Sequence, residues 1–307
     1  MNSHIINLFE FPSNLGLKKT RPELEPGVKK LPSWFRKHHF HERIQPEQIF
    51  TLNPPEYSMD LDEKTGVRNV EKIINYAEKQ AALLSPYLRQ GSFQLILGGD
   101  CSIMIGNAIA LRQQGNYGLF YLDGHTDFML PDRSQTGGAA GMDLAFVTGY
   151  GPEKLSNILH LKPYIQEQNV WCVGNREYDP GYVQPILESG ITYLDLKTLR
   201  ATGMQRCTTQ FLQMVEAQKL DGFFIHLDVD VLDDAIMPAV DSREKDGLSY
   251  PEFNSLLYNL LSSPKAIGME ITILDPHLDK DGKYTTQFIS EFITIIEAVK
   301  TTSDNSK

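Results

Sequence analysis

Short, continuous apolar runs alternate with helical patterns along most of this 307-residue chain, and this alternation limits the possible folds. A helix is predicted from Val67 to Gly91, because apolar residues recur there at spacings of three, four and seven. The predicted strands that follow it are Gln94–Leu97, Leu119–Leu122, Val170–Val173, Ile191–Leu194, Phe223–Val229 and Ile267–Ile273. Apolar strands separated by helices are typical of a parallel sheet covered on both faces. The sequence therefore predicts an α/β fold, a three-layer α/β/α architecture with a central, mostly parallel sheet.

Further helices are predicted over Cys207–Gln218, Pro251–Ser262 and Gln287–Lys300. The second of these begins with Ser249 and Glu252 at the spacing of a capping box. Residues 1–66 contain prolines, scattered charges and little periodicity, apart from a short strand-like run at Ile5–Phe9. We therefore expect a single domain over residues 1–307, with residues 1–66 as an irregular N-terminal segment packed on it.

Charge and cysteine content argue against several classes of protein. A net charge of −10 disfavours a nucleic-acid-binding protein, which normally has a basic patch. The chain lacks an apolar stretch of the roughly 20 residues that cross a bilayer, and its first residues do not resemble a secretory signal. The three cysteines are widely spaced and imply no disulfide framework. We expect a cytoplasmic protein that binds neither nucleic acid nor membranes.

Acidic residues, a thiol and a histidine follow three of the predicted strands. Ligands bind at the carboxyl ends of the strands in open parallel sheets. Residues two apart on an extended segment point to the same side, so the side chains of each motif should converge. The residues concerned are Cys101 in LILGGDCS, Asp123, His125 and Asp127 in FYLDGHTDF, and Asp228 and Asp230 in HLDVD.

Carboxylates packed this closely repel one another unless cations lie between them. Oxygen and imidazole ligands suit divalent ions such as Mn, Fe or Zn. Two such ions about 3.5–4 Å apart, bridged by shared carboxylates, would generate and orient a hydroxide nucleophile. His226 lies two residues before Asp228, deeper in the same strand, so we expect it to support a ligand without binding a metal itself. The sequence thus predicts a binuclear metal site.

The motifs GGDCS, DGHTD and HLDVDVLDD resemble, in order, spacing and strand context, those of the ureohydrolase family: arginase, agmatinase and formimidoylglutamase. The resemblance covers residues of about 90 to 295 and implies an arginase-like fold. It also implies a metal-dependent amidinohydrolase, in which metal-bound hydroxide attacks the guanidinium carbon of arginine, hydroxyarginine, agmatine or a similar compound. Urea or a substituted urea would be released. A homo-oligomer, trimeric or hexameric, is implied as well.

The resemblance also implies roles for individual residues. Asp127 would orient the hydroxide, and Glu270 in GMEITILDP would bind the guanidinium group. Asp179 and Thr136 fall where family members bind the amino and carboxylate ends of the substrate. One metal would be bound by Cys101, Asp123, Asp127 and Asp228, and the other by Asp123, His125, Asp228 and Asp230.

The sequence departs from the family pattern at three places, one of which is AVDSR at residues 239–243, where the family's Thr-Gly-Thr-Pro is replaced and a different pocket wall is implied. Cys101 replaces the first metal-ligand histidine, as in a variant branch that includes hydroxyarginine amidinohydrolases. We expect two divalent ions, Mn first, with Zn, Fe, Co or Ni as alternatives because a thiolate is a softer ligand. Ala140 stands where arginases have a catalytic histidine, which disfavours efficient cleavage of plain arginine. Two other functions remain open: a non-catalytic or weakly active ureohydrolase-like binding protein, and a metal-dependent amide deacetylase of related fold.

Overall fold

A parallel sheet runs through the middle of the computed structural model, which describes residues 5–304. The strands are β1 (Ile6–Glu10), β2 (Gln48–Thr51), β3 (Leu61–Asp62), β4 (Val67–Arg68), β5 (Phe93–Leu97), β6 (Tyr117–Leu122), β7 (Val170–Val173), β8 (Thr192–Leu194), β9 (Gly222–Asp228) and β10 (Ala266–Thr272). The main sheet has eight strands in the order β2-β1-β5-β10-β9-β6-β7-β8, and its neighbouring strands pair in parallel. Strands β3 and β4 form a separate antiparallel pair.

Helices cover both faces of this sheet. They are α1 (Leu31–Lys37), α2 (Phe40–Ile44), α3 (Val70–Leu84), α4 (Ile103–Gln114), α5 (Asp143–Val147), α6 (Glu153–Ser156), α7 (Pro180–Leu187), α8 (Leu196–Thr202), α9 (Met204–Ala217), α10 (Tyr250–Ser262) and α11 (Lys283–Asp304). Alternate residues of one strand enter different hydrophobic clusters: Phe120 packs with α9–α11 and Tyr121 with α3 and α4. The predicted three-layer α/β/α architecture is confirmed.

Most predicted elements lie within a few residues of their observed bounds. The helix predicted from Val67 is α3, and the capping box at Ser249 and Glu252 is formed at the start of α10. Strand β9 ends at Asp228, one residue earlier than predicted. Among residues 5–304, no helix is both long enough and apolar enough to cross a membrane.

The N-terminal segment differs from the irregular structure that we expected. Strands β1 and β2 both belong to the main sheet, and helices α1 and α2 lie between them in the chain. Residues 48–51 form an edge strand that is mostly exposed, so they lack the apolar run that reveals a buried strand. Residues 1–4 lie outside the described part of the chain.

Candidate metal centre and substrate cavity

The acidic motifs meet at the carboxyl ends of neighbouring central strands. Asp123 directly follows β6, and Asp228 is the last residue of β9, which pairs with β6. Cys101 comes from the loop between β5 and α4, and its Sγ donates a hydrogen bond to Asp228 Oδ2 at 3.0 Å. The sheet thus brings together residues that are more than a hundred positions apart in the sequence.

His125 and Asp230 form a second part of this centre. His125 Nδ1 lies 2.9 Å from Asp230 Oδ2 and 3.8 Å from Asp123 Oδ1. The backbone N–H of Gly124 donates to Asp230 Oδ1 at 3.0 Å, and that of His125 donates to Asp123 Oδ1 at 2.6 Å. The turn after β6 therefore fixes both carboxylates through its backbone.

The side-chain donors form two groups that share Asp123. Within each group the donor atoms lie within 4.8 Å of one another. This grouping differs from the expected ligand sets, because Asp228 belongs to one group only and His226 takes a place that we had not assigned to it. The first group is Cys101, Asp123, His226 and Asp228, and the second is Asp123, His125 and Asp230.

Asp127 lies outside both groups of donors found in residues 5–304, in contrast to its expected role as a ligand. Its Oδ2 accepts a hydrogen bond from the Tyr121 hydroxyl at 3.0 Å, and Tyr121 also lies 3.0 Å from Asp143 Oδ1. This bond keeps the carboxylate at the wall of the adjacent cavity. Asp127 is thus close to the centre and in contact with the space that a substrate would enter.

Burial makes the centre electrostatically unfavourable without cations. It raises the pKa of Asp228 well above its usual range, and the charges of Asp230 and Asp123 raise it further. Burial and the charge of Asp230 likewise raise the pKa of Asp123, whose Oδ2 has no hydrogen-bond partner. Divalent cations would relieve this repulsion and satisfy the free oxygen, and the carboxylate, imidazole and thiol donors are groups that bind such ions. The residues present therefore fit a binuclear metal site.

A cavity of about 780 Å³ opens directly above this centre. Its floor is acidic, because Asp127, Asp228 and Asp230 line it beside His125. Its outer part is basic, where the exposed side chains of Lys18 and Arg133 and the half-buried side chain of Lys19 also line it. The cavity thus changes from negative at the floor to positive at the mouth.

Of the residues expected to contact the substrate, Thr136 lines this cavity and Asp179 does not. The Asp179 carboxylate caps helix α7 by accepting a hydrogen bond from the backbone N–H of Tyr182 at 3.1 Å. Tyr182 lines the cavity instead. Ala140 also lines it, so the position of the missing histidine faces the substrate space.

Glu270 lies in a place that does not suit the guanidinium-binding role implied by the resemblance. Its side chain is fully buried in the sheet, where Oε1 lies 2.5 Å from His226 Nδ1 and Oε2 accepts a hydrogen bond from Asn107. Both carboxylate oxygens therefore have hydrogen-bond partners, and Glu270 is not among the residues that line the cavity. The residue that reaches the cavity from this strand is Ile273, immediately after β10. Glu270 is thus not placed to bind a guanidinium group.

Several residues around the centre were not predicted from the sequence. Tyr121 lies near the end of β6, two positions before Asp123, and this spacing on an extended segment puts both side chains on one face and could have identified Tyr121. Asp143 is a buried acid at the start of α5, and Asp241 lines the cavity from the loop after β9. Loop residues of this kind lack a periodic signal, so only the folded chain reveals their neighbours.

Comparisons with known proteins agree with this geometry. A family model described as the arginase family matches residues 21–296. The chain is 30% identical to an arginase of Staphylococcus aureus over 233 residues, which are 74% of this chain and 75% of that protein. It is 28% identical to an arginase of Bacillus subtilis over 94% of this chain and 97% of that one. The native structure of Bacillus caldovelox arginase superposes with a TM-score of 0.84 at 25% identity, over 95% and 98% of the two chains.

The membership of Asp123 in both groups of donors can be tested by measuring metal content. We expect Asp123→Ala to lose both ions, because its carboxylate belongs to both groups of donors. Asp230→Ala should lose only one, since Asp230 belongs to the second group alone. The measurement is metal per chain by elemental analysis after reconstitution and gel filtration. Asp179→Ala, an exposed acid outside the cavity, is the matched control and should retain two ions. An Asp123→Ala protein that still binds two ions per chain would contradict the shared-ligand arrangement.

Proposed function

Because the chain belongs to the arginase family of metal-dependent amidinohydrolases, we propose that it hydrolyses a small guanidino compound that also has an anionic group. The observation that supports this most directly is the cavity above the candidate metal centre, with its acidic floor and basic mouth. A cationic guanidinium group suits the floor, and a carboxylate suits the mouth. Urea, or a substituted urea, is the product that leaves.

The cleavage step needs a nucleophile, a proton acceptor and a positioned substrate. Two bound divalent cations would supply the nucleophile by lowering the pKa of water. Asp127 lies at the cavity wall, where the Tyr121 hydroxyl fixes one of its oxygens. Asp127 orients the attacking water, accepts its proton and returns a proton to the leaving amine. No imidazole from position 140 takes part, because that residue is alanine.

The guanidinium group needs a carboxylate partner, and Asp241 is the residue we propose for it. The carboxylates that line the cavity in the described chain are Asp127, Asp228, Asp230 and Asp241. Asp228 and Asp230 belong to the groups of candidate metal donors, and Asp127 has the proton-transfer role proposed above. Asp241 remains available for a charge-assisted hydrogen bond to the planar cation. It would thus take the role that the sequence suggested for Glu270.

Three basic side chains at the mouth favour substrates with a carboxylate at the end remote from the guanidinium group. Lys18, Lys19 and Arg133 line the outer cavity, whereas the acidic-motif carboxylates that line it, Asp127, Asp228 and Asp230, are all buried. A positive mouth attracts a carboxylate and repels an amine over several ångströms. Arginine, hydroxyarginine and guanidinobutyrate meet this requirement, whereas agmatine has a second cation there.

The proposed function is tested by product release across a substrate panel. We expect 4-guanidinobutyrate to be hydrolysed with a kcat/KM at least roughly tenfold above that of agmatine, because the two differ mainly in the charge of the remote group. Arginine and hydroxyarginine complete the panel, and urea or hydroxyurea is quantified.

The double variant Lys18→Gln, Arg133→Gln should reduce the difference in kcat/KM between 4-guanidinobutyrate and agmatine, and so should high salt. Faster hydrolysis of agmatine would contradict the anionic-substrate proposal. Acetate release from an N-acetylated amine, with no urea from any compound, would favour the deacetylase alternative.

The role of Asp241 has a separate test. Asp241→Asn keeps the size of the side chain but removes its charge. We expect kcat/KM for the best guanidino substrate to fall about 10- to 150-fold. This fall corresponds to the loss of the free energy of one hydrogen bond to a charged group. Metal content should not change. Asp246→Asn is the matched control, because Asp246 lies on the same loop but pairs with Arg200 at 2.6 Å. Equal kcat/KM for Asp241→Asn and the control would exclude Asp241 from guanidinium binding.

A further inference from the structure

His226 lies in a buried row of side chains beneath the acidic centre. In the sheet it is paired with Tyr121 on β6 and with Glu270 on β10. Its ring is fully buried and stacks on the Tyr121 ring, with 4.0 Å between centroids and 7° between planes. The imidazole therefore has one fixed orientation.

The two ring nitrogens of His226 have different surroundings. Nδ1 lies 2.5 Å from Glu270 Oε1, and the second oxygen of Glu270 accepts a hydrogen bond from Asn107. Nε2 has no hydrogen-bond partner, although it is buried. An unsatisfied polar atom at such a position is costly, so its neighbours indicate what it binds.

His226 Nε2 lies 3.7 Å from Asp123 Oδ2, a buried atom that also lacks a hydrogen-bond partner. This separation is too long for a hydrogen bond. Two ligand atoms that bind one cation tetrahedrally at about 2.1 Å lie roughly 3.4 Å apart, which is close to the observed separation. The two unpartnered atoms are thus spaced as ligands of a common ion.

Cys101 and Asp228 complete the set of donors around His226 Nε2 and Asp123 Oδ2. The thiol, the two carboxylates and the imidazole offer donor atoms that all lie within 4.8 Å of one another. Cys101 Sγ lies 3.0 Å from Asp228 Oδ2, so the set is already closely packed. The four residues come from the loop after β5, from the residue after β6 and from β9.

We propose that His226 is a direct metal ligand. Its imidazole, on β9, takes the place of the one that a histidine at position 101 would supply from the loop after β5. This inference rests on the two-cation site of the proposed function. Glu270 is its positioning residue: it accepts the Nδ1–H of His226, which leaves the lone pair of Nε2 free to bind the cation. The resulting site contains sulfur, nitrogen and oxygen donors, and it favours Zn or Co over Mn.

The test measures metal content and metal spectra, neither of which requires turnover. The full-length protein is stripped of metal and reconstituted with Co²⁺. We expect the wild type to bind two ions per chain and to show a thiolate-to-Co²⁺ charge-transfer band. His226→Ala should bind one ion and lose most of this band, because the site that contains Cys101 is incomplete. Added imidazole should restore the second ion. Two ions and an unchanged band in His226→Ala would overturn the proposal.

His41→Ala is the matched control. His41 is also a buried histidine bonded to a glutamate, with Nε2 2.8 Å from Glu10 Oε1, but it lies outside both groups of donors. We expect this variant to retain two ions and the charge-transfer band. Loss of an ion from it as well would mean that the removal of any buried histidine loosens the centre, which would overturn the specific role of His226.

A second measurement uses only the wild-type protein and covers the case in which His226→Ala fails to fold. X-ray absorption at the zinc edge of the Zn-loaded protein counts the bound imidazoles. The proposal requires two per two ions, from His125 and His226, together with one sulfur. One imidazole per two ions would leave His226 as a protonated partner of Asp123 and overturn the proposal. Failure of the substrate panel would reject the proposed reaction without altering either count.

Discussion

Repulsion between buried carboxylates is the constraint on which the rest of this centre depends. Asp123 and Asp228 lie at the ends of two paired strands, and burial together with nearby acidic charge raises the pKa of each. The turn after β6 offsets part of this cost with the backbone N–H groups of Gly124 and His125. Divalent cations would offset the remainder. A parallel sheet suits this arrangement, because it brings the carboxyl ends of distant chain segments to one edge.

The sequence predicted the parts of the molecule that have a periodic signal. The apolar run of β9 and the acidic residues at its end identified both the sheet and the centre. It did not predict β2, because exposed edge residues lack that signal. The guanidinium-binding role of Glu270 was implied by a motif match, and such a match does not reveal which residue of the strand reaches the cavity. Ile273 emerges there, whereas Glu270 lies three positions deeper and is fully buried.

The unexpected features of the centre lie close together. Glu270 and His226 are hydrogen-bonded beneath the centre, so a carboxylate expected in the substrate cavity contacts one of the candidate metal donors instead. Cys101 stands at the position of the family's first histidine, and the buried Nε2 of His226 faces the same group of donors. Asp241 and Ile273 then line the cavity. The chain thus belongs to the arginase family, while its group of candidate metal ligands includes a thiol and a second histidine.

The most direct test of this account is the anomalous scattering of metal-loaded crystals. Diffraction data collected above and below the zinc absorption edge locate each ion independently of any activity. The account predicts two anomalous peaks about 3.5–4 Å apart, one beside Cys101 and Asp228 and the other beside His125 and Asp230, with Asp123 between them. A single peak at full zinc loading, or peaks outside this cluster, would contradict a binuclear centre at the ends of β6 and β9.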